Sequence, residues 1–239
     1  MTVAKRLVAE GMGTAMLLAV VIGSGIMGER LAGGNTAIAL LANAIATGAG
    51  LVVLILMFGT VSGAHFNPVV TLSEVWQRNL PGRMALPYIL AQGLGAFAGV
   101  AAAHLMFGEP VFSMSLHART GPAQWWSECV ATFGLLATII SCSRTRPTVT
   151  PMAVALYITS AYWFTSSTSF ANPAVTLARA ASNTFAGIRP VDAPGFILAQ
   201  LAGAAAATLV FSWLYPRPPE GATVAGTVAP SEFSGGRAD

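Results

Sequence analysis

The chain has 239 residues, of which 54% are hydrophobic and only 9% charged, with a net charge of +3. A soluble domain carries about 25% charged residues. The composition therefore excludes an ordinary soluble protein and points to a chain immersed in a lipid bilayer. The basic residues form no dense cluster, which excludes nucleic acid as a partner.

The first predicted element follows the basic pair Lys5 and Arg6. Its apolar run, GMGTAMLLAVVIGSGIMG, is too long for an ordinary signal-peptide core. It predicts a retained span over 7–27 that doubles as an uncleaved signal. Further uncharged runs of about 20 residues predict spans over 37–58, 84–107, 123–142, 150–167 and 194–215. Between them, 59–77 and 168–183 are apolar but too short to cross, and predict re-entrant segments. From Pro216 onward the chain is rich in Pro, Gly, Ser and Thr, so a single domain over 1–215 and a disordered tail over 216–239 are expected. Cys129 and Cys142 fall in one predicted span, roughly 20 Å apart along a helix, too far to bridge. Two buried thiols are expected.

Six spans place both termini on one side. With those termini inside, the inner segments hold Lys5, Arg6, Arg78, Arg83, Arg144, Arg146 and Arg217, and the outer loops hold Arg30, Arg119 and Arg189. The bias predicts cytoplasmic termini in the cell's inner (plasma) membrane. Trp125, Trp126 and Trp213 near span ends fit an aromatic belt.

The two halves repeat one another. LVAEGMGTAMLLAVV resembles WSECVATFGLLATII, which aligns Glu10 with Glu128 and Thr14 with Thr132. SGAHFNPVVT resembles TSFANPAVT and aligns Asn67 with Asn172. ILAQGLGAFAG resembles ILAQLAGAAAA and aligns Gln92 with Gln200. Repeat one covers about 5–107 and repeat two about 123–215. Three spans per half is an odd number, so the second copy enters the membrane upside down, as an inverted-topology repeat.

Inversion makes the two Asn-Pro segments meet near the midplane from opposite faces. Proline suits the first turn of a helix, where its missing N–H is no loss, and asparagine before it is a preferred N-cap. Asn67 and Asn172 then aim donors and positive dipole ends at one point, which repels cations and welcomes hydroxylated solutes. Glu10 and Glu128 are costly in lipid and are expected to accept backbone N–H groups of the re-entrant loops. No HExxH, nucleophile elbow, P-loop or Cys/His metal spacing occurs, and the His residues are scattered. Neither an enzyme, a metal site nor a cofactor is expected.

On the strength of AEGMGT, SGAHFNPVVT, the duplicated ILAQ and SFANPAVT, the chain resembles the aquaporin and aquaglyceroporin superfamily, the major intrinsic proteins. The match covers about 5–215. It implies an all-α membrane protein of six transmembrane helices plus two re-entrant half-helices, one pore per subunit, and a homotetramer. By resemblance the central constriction falls on Asn67, Pro68, Val69, Asn172, Pro173 and Ala174, and the selectivity filter on Thr47, Ser160 (or a residue within a few positions of it), Ser169 and Val175. Val69 stands where the family usually has Ala, a mild change because that position mostly packs. Val175 stands where it usually has Arg, so the expected opening is wide, hydroxyl-lined and without fixed charge.

Arg179, one turn after Val175, either reaches the outer vestibule or packs against loops. Its symmetry mate Glu74 then faces the inner vestibule, where His65 either sits as well or serves its own loop. The Val175 variant is similar to a bacterial branch associated with arsenic resistance. The resemblance implies a passive channel for small neutral solutes, with arsenous acid or related metalloid acids as the favoured cargo. Glycerol and water are the second reading. A proton-coupled carrier is a remote third, since it would want an ionisable group at mid-pore.

Overall fold

The structure is a computed structural model and describes residues 1–216. Apart from Pro216, the tail predicted over 216–239 lies outside the described residues. The described residues form eight α-helices: α1 (Val3–Leu31), α2 (Thr36–Ser62), α3 (Pro68–Trp76), α4 (Ala85–Phe107), α5 (Pro122–Thr145), α6 (Thr150–Phe164), α7 (Pro173–Arg179) and α8 (Ala193–Leu214). The described residues contain no strand.

Local chemistry sets the boundaries. Asn35 caps α2 by accepting from the backbone of Ala37 and Ile38, and α2 and α4 stop at the left-handed glycines Gly63 and Gly108. Among the described residues five segments are long and apolar enough to cross a membrane: Val3–Leu31, Thr36–Ser62, Gly82–Phe107, Pro122–Thr145 and Ala193–Leu214. The predicted span 150–167 folds as α6, which has only 15 residues. At 1.5 Å per residue that is about 22 Å, short of the ~30 Å hydrocarbon core. A 3-10 turn over Pro147–Val149 precedes it, and Thr165 ends it by turning extended.

Large apolar side chains such as Leu94, Leu105, Leu198 and Trp213 lie exposed on the outside of the bundle, the arrangement a lipid solvent favours. Cys129 and Cys142 are free and half-buried. They fall short of the burial their apolar run predicts, because part of the α5 surface faces outward.

The bundle is two copies of one motif. α1 packs along α4, and α5 packs along α8. Glycine makes each crossing possible: a methyl group on Gly95 would run into the Gly11 carbonyl of α1, and one on Gly203 into the Cys129 carbonyl of α5. Close backbone approach of this kind is how helices associate where lipid offers no hydrophobic drive. The short helices α3 and α7 fill what the long ones leave open, each preceded by an irregular loop that re-enters the bundle.

Those loops share an unusual backbone. Gly63, Ala64 and Phe66 have positive φ, and so do Thr168, Ser169 and Ala171 at the matching positions of the second half. For residues with a Cβ this costs about 1–2 kcal/mol each, and it persists only where the surroundings over-determine it.

Candidate functional site

Two buried carboxylates hold the strained loops. Glu10 accepts from the backbone N–H of His65 at 3.0 Å and of Phe66 at 2.8 Å, and also from the Ser62 hydroxyl and Gln92 Nε2. Glu128 accepts from Phe170 N at 2.8 Å, Ala171 N at 2.9 Å and Gln200 Nε2 at 2.7 Å. Gln92 and Gln200 pass the restraint on to Thr71 and Thr176 of the half-helices. Each carboxylate thus sits at the same node of its own repeat.

The loops deliver Asn67 and Asn172 to one place. Each caps its half-helix: Asn67 Oδ1 accepts from Val69 N, and Asn172 Oδ1 accepts from Ala174 N and Val175 N. Each also bonds across to the other half. Asn67 Nδ2 donates to the Ala171 carbonyl and Asn172 Nδ2 to the Phe66 carbonyl, both at 2.8 Å. An amide NH2 has two hydrogens. One of each is therefore engaged in this cross-link, and the other is left for the cavity that both residues line.

That cavity has a volume of about 430 Å3. Leu17, Val21, Leu51, Leu135 and Val175 give it apolar walls, while Thr47, Tyr162 and Ser169 add hydroxyls. Thr47 Oγ1 and the Tyr162 hydroxyl are 3.3 Å apart. The Ser169 hydroxyl is buried with no protein partner among the described residues.

Pro68, Val69, Pro173 and Ala174 are buried but do not line the cavity. Val69 and Ala174 belong to the apolar core, because the residues after each cap turn inward as the half-helix begins.

Ser160 is displaced from the site. It is exposed and donates to the Tyr157 carbonyl of its own helix. The cavity is instead lined by Val154, Ile158 and Tyr162, whose spacing of four keeps them on one face of α6. A residue two positions away from that stripe turns about 200° from it. Sequence reasoning missed Tyr162, although stepping by fours along α6 from Val154 would have found it.

His65, Glu74 and Arg179 all contribute to the cavity wall. His65 Nδ1 is 3.1 Å from Thr71 Oγ1. Glu74 accepts from Asn79 Nδ2 at 2.7 Å. Arg179 is buried, donates through Nε to the Ala186 carbonyl and lies with its guanidinium carbon 3.3 Å from the centre of the Phe170 ring.

Arg119, which the sequence marked only as an outer-loop charge, reaches the same region. It donates to the carbonyls of Ser167, Phe185 and Gly187 and to the Thr168 hydroxyl. Its guanidinium lies 5.1 Å from Phe170. Burial pushes the Arg119 pKa down, with Glu128 opposing.

Residues 1–165 match the family model described as major intrinsic protein. The chain belongs to that family. Among the relatives of this major intrinsic protein is the aquaglyceroporin AqpS of Rhizobium meliloti (strain 1021), 55% identical over 210 residues, which covers 88% of this chain and 90% of that protein. The maize aquaporin NIP2-3 is 32% identical over 194 residues, covering 77% of this chain and 62% of its own length. The X-ray structure of the aquaglyceroporin from Plasmodium falciparum superposes with a TM-score of 0.65 at 18% identity, over 90% of this chain and 96% of that one; it establishes the fold. This family member is a multi-pass membrane channel for small solutes of the aquaglyceroporin type, not an enzyme.

Proposed function

We propose that this channel conducts small uncharged solutes passively through a wide filter, with arsenous acid or related metalloid acids as its favoured cargo. The observation that carries the reading is Val175 on the wall of a cavity that Thr47, Tyr162 and Ser169 also line. A small apolar residue there opens the passage, and the hydroxyls offer hydrogen bonds to compact polyhydroxy solutes. Desolvating such a solute costs little when its donors and acceptors are replaced on entry. Glycerol and water are the second reading, favoured by the 55% identity to a protein named as an aquaglyceroporin.

A proton-coupled carrier is disfavoured because Glu10 and Glu128 are engaged by backbone and Gln donors. The working unit of the reading is a homotetramer in the inner membrane with cytoplasmic termini, each subunit a single channel domain over residues 1–215. The exposed apolar outer faces of the helices supply surface for both lipid and neighbouring subunits.

Reconstituted vesicles test the reading. Efflux of arsenous acid and of glycerol should rise linearly with the gradient and ignore protonophores. Saturable uptake abolished by a protonophore would overturn the channel in favour of a carrier. A channel that passes glycerol but excludes arsenous acid would overturn the metalloid assignment alone.

A further inference from the structure

Val175 removes the guanidinium from one turn of α7, and the structure carries another on the next. We propose that Arg179 is the charged filter residue of this channel, and that with the Ser169 hydroxyl it forms the subsite that repels cations and orients a hydroxylated solute. The proposal rests on the reading of the chain as a neutral-solute channel.

Arg179 follows Val175 by four positions, on the same face of α7. Helical side chains tilt toward the helix N-terminus, so Arg179 leans back over the turn that carries Val175. Both residues line the cavity, together with Ser169, Tyr162 and Thr47.

Its bonding is incomplete in a way that points to a ligand. Nε donates to the Ala186 carbonyl, whereas the two terminal nitrogens donate to no protein group among the described residues. No carboxylate pairs with it there, since the ion pairs among the described residues are Arg30–Glu109 and Arg189–Asp192. Glu128, an acid of the same region, already accepts three hydrogen bonds. A buried guanidinium kept for structure alone is normally paired.

Phe170 supplies cation–π contact to Arg179 and to Arg119 behind it, which holds two positive charges at this end of the passage. On the wall of the same cavity the buried Ser169 Oγ lacks a partner. Guanidinium donors and a free hydroxyl lining one passage suit a neutral solute with several oxygens and oppose a cation.

The test compares wild type with Arg179→Met and Arg179→Lys in proteoliposomes, reading potassium leak and glycerol swelling on the same preparations. Arg179→Met should raise the cation-to-glycerol permeability ratio by about tenfold or more. Arg179→Lys should lower it again, and Val175→Arg placed in the Arg179→Met background should lower the potassium leak itself. If Arg179→Met does not assemble, Arg179→Gln is read the same way, because its amide retains a donor for Ala186. A purely structural role would lower the melting temperature and leave the ratio near the wild-type value; that result overturns the proposal. A wild type that passes no neutral solute would overturn the channel reading itself, whichever way the variants behave.

Discussion

Replacing Glu128 by Gln changes a single atom at a node that three donors share. In the wild type one oxygen accepts from Phe170 N, and the other from Ala171 N and Gln200 Nε2. In the variant one of those positions becomes an NH2. Gln200 could flip its own amide only by giving up the bond its Nε2 makes to Thr176 Oγ1, so the variant sits best with its NH2 turned toward Phe170, where a single donor was bound. A backbone N–H cannot flip, so Phe170 is left facing a donor. The cost is one buried orphan plus the charge assistance of the remaining bonds, about 2–4 kcal/mol. Ala171, held at φ 47°, also loses part of what keeps it there.

In Glu10→Gln one orphan likewise remains, at His65, since the Ser62 hydroxyl can rotate to meet the NH2 while Phe66 N and Gln92 keep the remaining oxygen. The two variants should therefore be destabilised to within about 1 kcal/mol of each other. Unfolding of purified protein in mixed micelles titrated with SDS measures both. A Glu128→Gln protein as stable as wild type, or a loss confined to one of the pair, would refute the reasoning.

Val175→Arg should reduce glycerol and arsenous acid flux much more than water flux in stopped-flow swelling; equal losses for all three would count against a filter at this position. Asn172→Asp exchanges the donor to the Phe66 carbonyl for a carboxylate that faces it, so it should lower stability and admit cations, and a folded variant without added ion conductance would contradict this. Gly203→Ala drives a methyl group into the Cys129 carbonyl, a backbone atom that cannot swing aside, and should cost about 1–3 kcal/mol in the same SDS titration.

Asp192 accepts from Arg189 Nε at 2.8 Å and Arg119 N at 2.9 Å. Burial raises its pKa, but these donors outweigh burial and hold the carboxyl below its ordinary value. The resulting stabilisation is complete above about pH 4, the unfolded value, and is lost as pH falls through the folded one. Hydrogen exchange at 113–121 should stay slow at pH 5 and quicken only under stronger acid; fast exchange already at pH 6 would disprove the clamp.

What a sequence displays well is polarity out of place. Glu10, Gln92, Glu128 and Gln200 stand alone in apolar runs, and the two Asn-Pro pairs announce helix starts where no span can begin. Their order, kept across both halves, carried the inverted repeat without any knowledge of contacts. Helix phase travelled less well. A filter position at Ser160 requires the phase of α6 to be carried across the irregular loop that follows it, while the face α6 presents is set by its packing on α2 and α5.

Long side chains were the least legible. Arg179 is held by a carbonyl at Ala186 and Arg119 by carbonyls at 167, 185 and 187, and these exist only once the 165–192 loop has folded. The amide cross-link was hidden for a related reason. It needs carbonyls turned by left-handed backbone at Phe66 and Ala171, a conformation their residue types do not advertise.

That mutual clasp has a consequence for biosynthesis. The Phe66 carbonyl is bonded by an amide 106 positions further along the chain. At about 5–20 residues per second, the ribosome supplies that amide roughly 5–20 s after the first loop has emerged. During the interval the amino-terminal half sits in the translocon or bilayer with an unanswered backbone oxygen at its heart. Neither half can mature as a miniature of the whole, because a residue of the second half closes the re-entrant loop of the first.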